Sequence, residues 1–301
     1  MSQRLKTGLD TRNRFVPAVE ALEDRALAAI NISVSGNTVF VTAGTPPAGT
    51  VQNERVAIID NGTSGAGNVI ISLKSGVFRP NFAVGQVIVN LVNGNDQVSY
   101  TLNGPLTSSS RSIAVSLGRG DDRFTANLLG GTSVSGNLGI TVFGQQGNDR
   151  LTGTAVGTFA GVSAFGWTTL GGQGDDLLEF QQSANTNENA SESITQVGGN
   201  GTDRITTNYL GRLNGLFSTT DVGGGGEDRI SVTIVVANNS TGQLVGSAVL
   251  GGGADDNLTF LIPNSGQAFV FNQVLDGGGG FNTCTRTTNV LAFRCQRDRF
   301  G

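Results

Sequence analysis

The stretch Gly171-Gly172-Gln173-Gly174-Asp175-Asp176-Leu177-Leu178-Glu179 joins a glycine-rich turn to the start of a short strand. Variants of it recur along the chain. Their turn aspartates are Asp96, Asp122, Asp149, Asp176, Asp203, Asp228 and Asp256, and Asn282 takes the equivalent place in an eighth copy. The steps between them are 26, 27, 27, 27, 25, 28 and 26 residues. Self-similarity held at one period marks a stacked repeat.

Columns read across the copies set the geometry. Two residues after each turn position stand Val98, Phe124, Leu151, Leu178, Ile205, Ile230, Leu258 and Cys284, all apolar. One residue further stand Ser99, Thr125, Thr152, Glu179, Thr206, Ser231, Thr259 and Thr285, nearly all hydroxylic. Alternate side chains of a strand point to opposite faces, so the first column faces inward and the second outward. A second strand precedes each turn and ends at Phe143, Leu170, Val197, Val222 or Leu250. The pattern predicts an all-β fold, a parallel β-solenoid (β-helix or β-roll-like) with about 27 residues per coil. Parallel strands about 4.8 Å apart make eight or nine coils a rod roughly 40 Å long. The variable segment 209–216 reads as a third, less regular side of the coil.

The rest of the chain arranges itself around this repeat. Residues 1–29 form a separate segment, in which 17–29 (PAVEALEDRALAA) carry the spacing of a short N-terminal amphipathic helix. It reads either as a cap over the solenoid end or as a leader. Residues 30–90 read as N-terminal β coils. Within them Ser35-Gly36-Asn37 signals a hairpin, Thr45-Pro46-Pro47-Ala48-Gly49 a loop, and Gly65-Ala66-Gly67-Asn68 a degenerate early repeat. Residues 91–281 are the glycine/aspartate-repeat solenoid and 282–301 a C-terminal cap. Cys284 and Cys295 are spaced for a small disulfide-closed hairpin, with two free buried cysteines as the alternative; a disulfide implies an oxidising compartment.

Composition narrows the function. Glycine is 46 of 301 residues and charged residues only 14%, which suits strands and tight turns better than packed helices. A net charge of −4 argues against a nucleic-acid partner. No apolar run reaches the roughly 18 residues of a transmembrane helix. Histidine is absent, lysine occurs only at Lys6 and Lys74, and tyrosine only at Tyr100 and Tyr209. Ser/His/Asp and Cys/His arrangements are therefore impossible, the acids are spread along the turn edge and not gathered on one face, and no enzyme is expected. Each glycine-rich turn leads into a strand rather than a helix, which removes phosphate-loop and dinucleotide readings.

The turn carries the chemistry that remains. Glycines let the backbone turn tightly and aim its carbonyls at one point. Each turn also supplies a carboxylate, and calcium takes six to eight oxygen ligands at about 2.3–2.6 Å. Carboxylates stacked about 5 Å apart repel by roughly 3 kcal/mol at an effective dielectric of 20 unless something neutralises them. Asp121, Asp175, Glu227 and Asp255 add further acids beside the column. The competing reading is that the aspartates only close turns, with Arg123, Arg150, Arg204 and Arg229 as counter-charges.

The nonapeptide resembles the calcium-binding G-G-x-G-x-D-x-U-x repeat of the RTX (repeats-in-toxin) family, where U is a large apolar residue. Residues 171–179, 198–206 (GGNGTDRIT) and 223–231 (GGGGEDRIS) fit it completely. Gln145 and Ala254 each replace one glycine, Leu117 and Leu91 stand at the first glycine of their copies, and Asn282 replaces the aspartate. The family's own repeat is nine residues long, with metal on both sides of the coil. Here the motif comes once per coil, which implies a single metal-binding edge. The resemblance implies Ca2+ held by Asp96, Asp122, Asp149, Asp176, Asp203, Asp228 and Asp256, with up to six sites between adjacent turns. The segment VEALEDR within residues 17–29 resembles leaders of exported bacterial surface proteins. Together these resemblances imply a secreted, extracellular or cell-surface module of structural or adhesive character, whose partners are calcium and surface polysaccharide or protein. The alternative is a carbohydrate-binding or polysaccharide-cleaving parallel β-helix.

Overall fold

The computed structural model describes residues 30–44, 52–107 and 109–300. The helix expected at 17–29 and the loop expected at 45–49 lie outside the described residues. The described chain is all-β, without a helix, and winds as a parallel β-solenoid of about 7 turns with about 27 residues per turn. Each coil gives one strand before its glycine–aspartate turn and one after it. Strands before the turn, such as Leu138–Gln146, Ala164–Gln173, Ser191–Asn200 and Leu216–Gly225, stack in one sheet. Strands after it, such as Arg123–Val134, Arg150–Phe159, Leu177–Thr186 and Arg204–Gly211, stack in a second.

The coil is therefore two-sided. The variable segment expected to make a third side is divided between the end of Arg204–Gly211, a short loop and the start of Leu216–Gly225. Chain that alternates buried and exposed positions keeps the pleat of the sheet it is already in.

Register puts each column where the alternation requires. Leu151, Leu178, Ile205, Ile230, Leu258 and Cys284 pair in sequence across neighbouring coils, and all are fully buried. The middle of the core is aromatic. The rings of Trp167 and Phe180 lie 5.2 Å apart, with Phe124 at 6.1 Å from Trp167 and Phe165 at 5.8 Å from Phe180. Gly153 faces this cluster because nothing larger fits. A Cβ there would come within 2.6 Å of Trp167 and 2.8 Å of Phe180.

The two ends are closed differently. At the N-terminal end the strands run antiparallel: Asn31–Ser35 pairs with Thr38–Thr42 around Gly36, as the hairpin signal predicts. Arg55–Asp60 pairs with Val69–Leu73, which pairs with Gly76–Phe78. The Gly65–Asn68 segment thus joins antiparallel strands and is not an early coil turn. Beneath this end Arg111 reaches across the core to Asp60, Nε to Oδ2 at 2.5 Å, and Tyr100 donates to the same carboxylate at 3.1 Å. Pair and hydroxyl are buried together, so the charges satisfy one another.

At the C-terminal end Cys284 and Cys295 form a disulfide. It does not close a hairpin. Leu291–Phe293 and Arg297–Phe300 pair in parallel with Val274–Gly279 and Thr283–Arg286, so they make one more, shortened coil. Cys284 pairs with Asp298, only 14 residues on. The disulfide holds that small coil against the last full one.

Two further acids lie inside the core without a cation. Glu192 accepts hydrogen bonds from Gln182 and Thr186; Asp221 accepts them from Thr207 at 3.2 Å and Thr219 at 3.4 Å. Burial raises each to about 7, from 4.5 and 3.8 respectively, against the lowering effect of these bonds. The folded state holds their protons more tightly than the unfolded chain does. Stability linked to them is therefore full in acid and falls as pH climbs through about 7.

Two outcomes are expected. Gly153→Ala destabilises by about 1–3 kcal/mol through overpacking, read from urea unfolding midpoints. In EDTA the Glu192→Gln/Asp221→Asn pair gains on the order of 5 kcal/mol relative to wild type between about pH 5 and about pH 8.5, at about 1.4 kcal/mol per pK unit for each acid. A constant difference between the two proteins across that range refutes the assignment.

Candidate metal centre

The turn edge begins with a backbone requirement. Where the chain passes from one sheet to the other, two successive amides in each coil leave the strand ladder. The first is satisfied from the preceding coil wherever that coil offers an Asn or Asp. Asn95 accepts from the amide of Asp121, Asp121 from Asn148, Asn148 from Asp175 and Asp175 from Thr202, at 2.7–3.1 Å. The second is satisfied from the following coil. Asp122 Oδ1 accepts from the amide of Asp96, Asp149 from Asp122, Asp176 from Asp149, Asp203 from Asp176, Asp228 from Asp203 and Asp256 from Asp228, at 2.6–2.9 Å. Asn282 Oδ1 closes the series on the amide of Asp256 at 2.8 Å.

The seven sequence-predicted aspartates thus stand in one column, each 1–3% exposed. Each commits one carboxylate oxygen to the neighbouring backbone. The other oxygen, Oδ2, is buried in all seven and has no hydrogen-bond partner. Desolvation raises all seven, opposed by the backbone hydrogen bond to Oδ1. Asp122, Asp176 and Asp228 stand at about 7 and Asp96, Asp149 and Asp203 at about 6, while Asp256 is raised as well. Neighbouring carboxylates push in the same direction, Asp149 and Asp203 on Asp176 for example.

Asn282 shows what that second atom lacks. Its Nδ2 donates to Gly279 O at 2.8 Å. An N–H finds a carbonyl where the seven aspartates present an oxygen with nothing to accept.

The first glycine of the motif makes room for this oxygen. A Cβ on Gly171 would stand 2.2 Å from Asp176 Oδ2 and 2.7 Å from the carbonyl oxygen of Gly198 in the next coil. The same two kinds of oxygen crowd Gly144, at 2.1 and 2.5 Å, Gly223 at 2.2 and 2.6 Å, and Gly251 at 2.3 and 2.5 Å. At Gly198 the crowding atom is Asp203 Oδ2, at 2.2 Å. A carboxylate oxygen and a carbonyl oxygen from successive coils therefore converge over a bare Cα. Leu91 and Leu117 stand at this position before Asp96 and Asp122, so the cradle is open at five rungs and filled at two.

The later glycines answer a different constraint. Gly172 and Gly174 both have φ near +121°, and a Cβ on either would meet a carbonyl of the coil below at 2.1–2.2 Å. Gln145 keeps that left-handed backbone with φ of 84°, whereas Ala254 leaves it.

The arginines expected as counter-charges do not reach the column. Arg150 pairs with Glu179 at 3.8 Å, and no ladder aspartate has an ion pair among the described residues. No group of three acidic, histidine or cysteine side chains forms among the described residues either. A cation here would draw one carboxylate oxygen per rung and fill its shell with carbonyls. That donor set suits a hard, oxygen-seeking ion.

Two parts of this edge escaped the sequence reading. The ladder starts one coil earlier, where Glu54 donates its amide to Asp96 Oδ1 at 2.6 Å and Asn53 accepts from Asn95 at 2.9 Å. Glu54-Arg55-Val56 echoes the Asp-Arg-Ile form of later copies and is the signal that marks it. The outer column of Asn53, Asn95, Asp121, Asn148, Asp175 and Asp255 is also visible as short Asn or Asp side chains one residue before the ladder. A comparison with protein-family models, curated proteins and solved structures finds no match to this chain.

Replacing Asp176 separates the two oxygens. Asp176→Ala strands the Asp149 amide and is expected to cost about 1–3 kcal/mol in EDTA. Asp176→Asn keeps the acceptor and adds the N–H that Asn282 already uses, so its unfolding midpoint in EDTA is expected to match or exceed that of wild type. Equal losses in both variants, measured by urea unfolding, would contradict a division of labour between the two oxygens.

Proposed function

We propose that the aspartate ladder takes up calcium and that the protein is an exported β-solenoid serving as a structural or adhesive surface module. The observation that carries this reading is the column of seven buried Oδ2 atoms without a partner. A buried carboxylate left unpaired is costly whether ionised or forced to hold a proton. A divalent cation between coils relieves desolvation and the repulsion between successive rungs together. Asp149, Asp176, Asp203, Asp228 and Asp256 are the best-placed ligands, because a glycine leaves their cradle open. Asp96 and Asp122 share the orphaned oxygen and complete the ladder. The carbonyl of the first glycine in the following coil is the natural second donor.

Export draws on separate observations. The Cys284–Cys295 disulfide fits an oxidising compartment. Extracellular calcium is also abundant enough for weak sites, which bind at about 10⁻⁴–10⁻³ M. No helix among the described residues is long and apolar enough to cross a membrane. On this reading the bound ions stiffen a rod whose outer faces meet surface polysaccharide or protein.

The test is calcium titration into chelated protein, by calorimetry and by thermal unfolding. Millimolar calcium is expected to raise Tm. The gain should be larger at about pH 8 than at about pH 5.5, because protons compete for carboxylates raised to about 6 or 7. No heat of binding and identical melting in EDTA and in about 10 mM calcium, above the weak extracellular range, would end the proposal.

A further inference from the structure

The outer face of the sheet that precedes the turns is unlike the rest of the surface. Its outward positions run in three columns. One holds Ile88, Ala114, Thr141, Thr168, Thr195, Thr220 and Ala248. Beside it, towards the turn, lie Asn90, Ser116, Phe143, Leu170, Val197, Val222 and Leu250. On the other side lie Gln86, Ser112, Gly139, Gly166, Ser193 and Ser218. From Thr38–Thr42 to Ala248–Gly253 no Asp, Glu, Lys or Arg stands in these columns. Asp276 is the first, and it pairs with Arg294.

The face is also flat. Gly139 and Gly166 leave open space where a side chain would rise, and beyond the Phe143 column, next to the turn, stand Gly118, Gly172, Gly199, Gly224 and Gly252. Its largest apolar group, Phe143, is 41% exposed. The opposite sheet shares the hydroxylic outward column but differs beside its turn. Its outward column beside the turn carries Arg55, Arg123, Arg150, Arg204 and Arg229. Two copies cannot bring that face together without opposing like charges.

We infer that the uncharged face is the contact between two copies of this chain, packed back to back about a two-fold axis. Area supports this occupant. Eight strands about 4.8 Å apart, each presenting roughly 20 Å of width, offer roughly 700 Å² per copy, close to the ~800 Å² per partner of a stable specific interface. Chemistry supports it as well. A two-fold contact sets the same patch against itself, so a patch without charge meets no repulsion and strips water from no ion. Sheets packed face to face sit about 10 Å apart, a distance that threonine, valine and leucine side chains fill. The glycine column lets the two copies settle without a ridge. The dimer keeps both turn edges clear of the contact and leaves both arginine faces outward.

Sedimentation equilibrium of the full chain tests this, with Leu170→Glu/Val197→Glu as the disrupting variant and Thr152→Glu/Thr206→Glu on the opposite face as the control. The expected result is a dimer for wild type and control. The disrupting variant should sediment as a monomer at the same concentrations, at least tenfold weaker in association, with unchanged circular dichroism. A wild type that stays monomeric up to about 100 μM, above the micromolar range of a weak specific complex, overturns the inference. A disrupting variant that remains dimeric overturns it too. So does a monomeric wild type whose melting drops with Leu170→Glu/Val197→Glu, because the face is then covered by the chain's own residues.

Discussion

At every coil the backbone must change sheets, and at that corner two amides lose their ladder partners. A buried amide left without an acceptor costs about 1–3 kcal/mol, and the corner repeats in every coil. The protein meets the requirement with short side chains reaching between coils. One amide is served from the coil before by Asn or Asp, the next from the coil after by the ladder aspartate. Coils are thereby laced in both directions at the place where sheet pairing is thinnest. The charge column follows from this. An aspartate is committed by Oδ1, and Oδ2 is carried into the same dry corner because it is attached. Structural capping and the unpartnered carboxylate oxygens are thus successive consequences of one backbone problem.

The solenoid itself was legible because its period and its pleat are both written in apolar residues. A step near 27 and a buried column from Val98 to Cys284 leave few other ways to stack the chain. What was not legible is what depends on the neighbouring coil. Nothing within residues 171–179 says that Asp176 accepts from Asp149. The amide and its acceptor are 27 residues apart and meet only by stacking. The early glycines at 65 and 67 misled for the same reason, since glycine permits a turn without saying what it connects. Glu54, in a copy with no resemblance beyond Glu-Arg-Val, already stands on the ladder. A separation of 11 residues between the cysteines suits a hairpin, but a strand edge waiting at Thr283–Arg286 makes a parallel partner available.

The ends of the rod show how a one-dimensional stack is stopped. Interior coils are held by two neighbours and end coils by one, so an end needs contacts that do not repeat. The N-terminal end reverses strand direction, which no following coil can copy. It also fixes the two sheets to each other through Asp60, Arg111 and Tyr100. A buried ion pair is a poor source of net stability but sets register firmly, because among the described residues Asp60 is the one acid that Arg111 pairs with. The C-terminal end shortens the coil to 14 residues and ties it covalently. Each device makes a contact that does not recur from coil to coil, one an ion pair and the other a disulfide.

Stacking also explains how charge comes to be sorted by face. In a solenoid each column is one local environment presented again at every coil. A side chain suited to it tends to recur, and its charge accumulates with the recurrence. The turn edge accumulates carboxylate and the following face accumulates arginine one position away. The preceding face accumulates nothing, although the same chain has charged residues to place there. Accumulated charge raises the energy of the stack unless a counter-ion or solvent answers it, which the exposed arginines obtain from water and the buried aspartates do not. A face kept free of charge through eight strands escapes that cost but exposes apolar surface instead. The edge and the two faces of this rod therefore meet solvent in three different ways: the edge with buried carboxylates, one face with exposed arginines, and the other with uncharged polar, glycine and apolar groups alone.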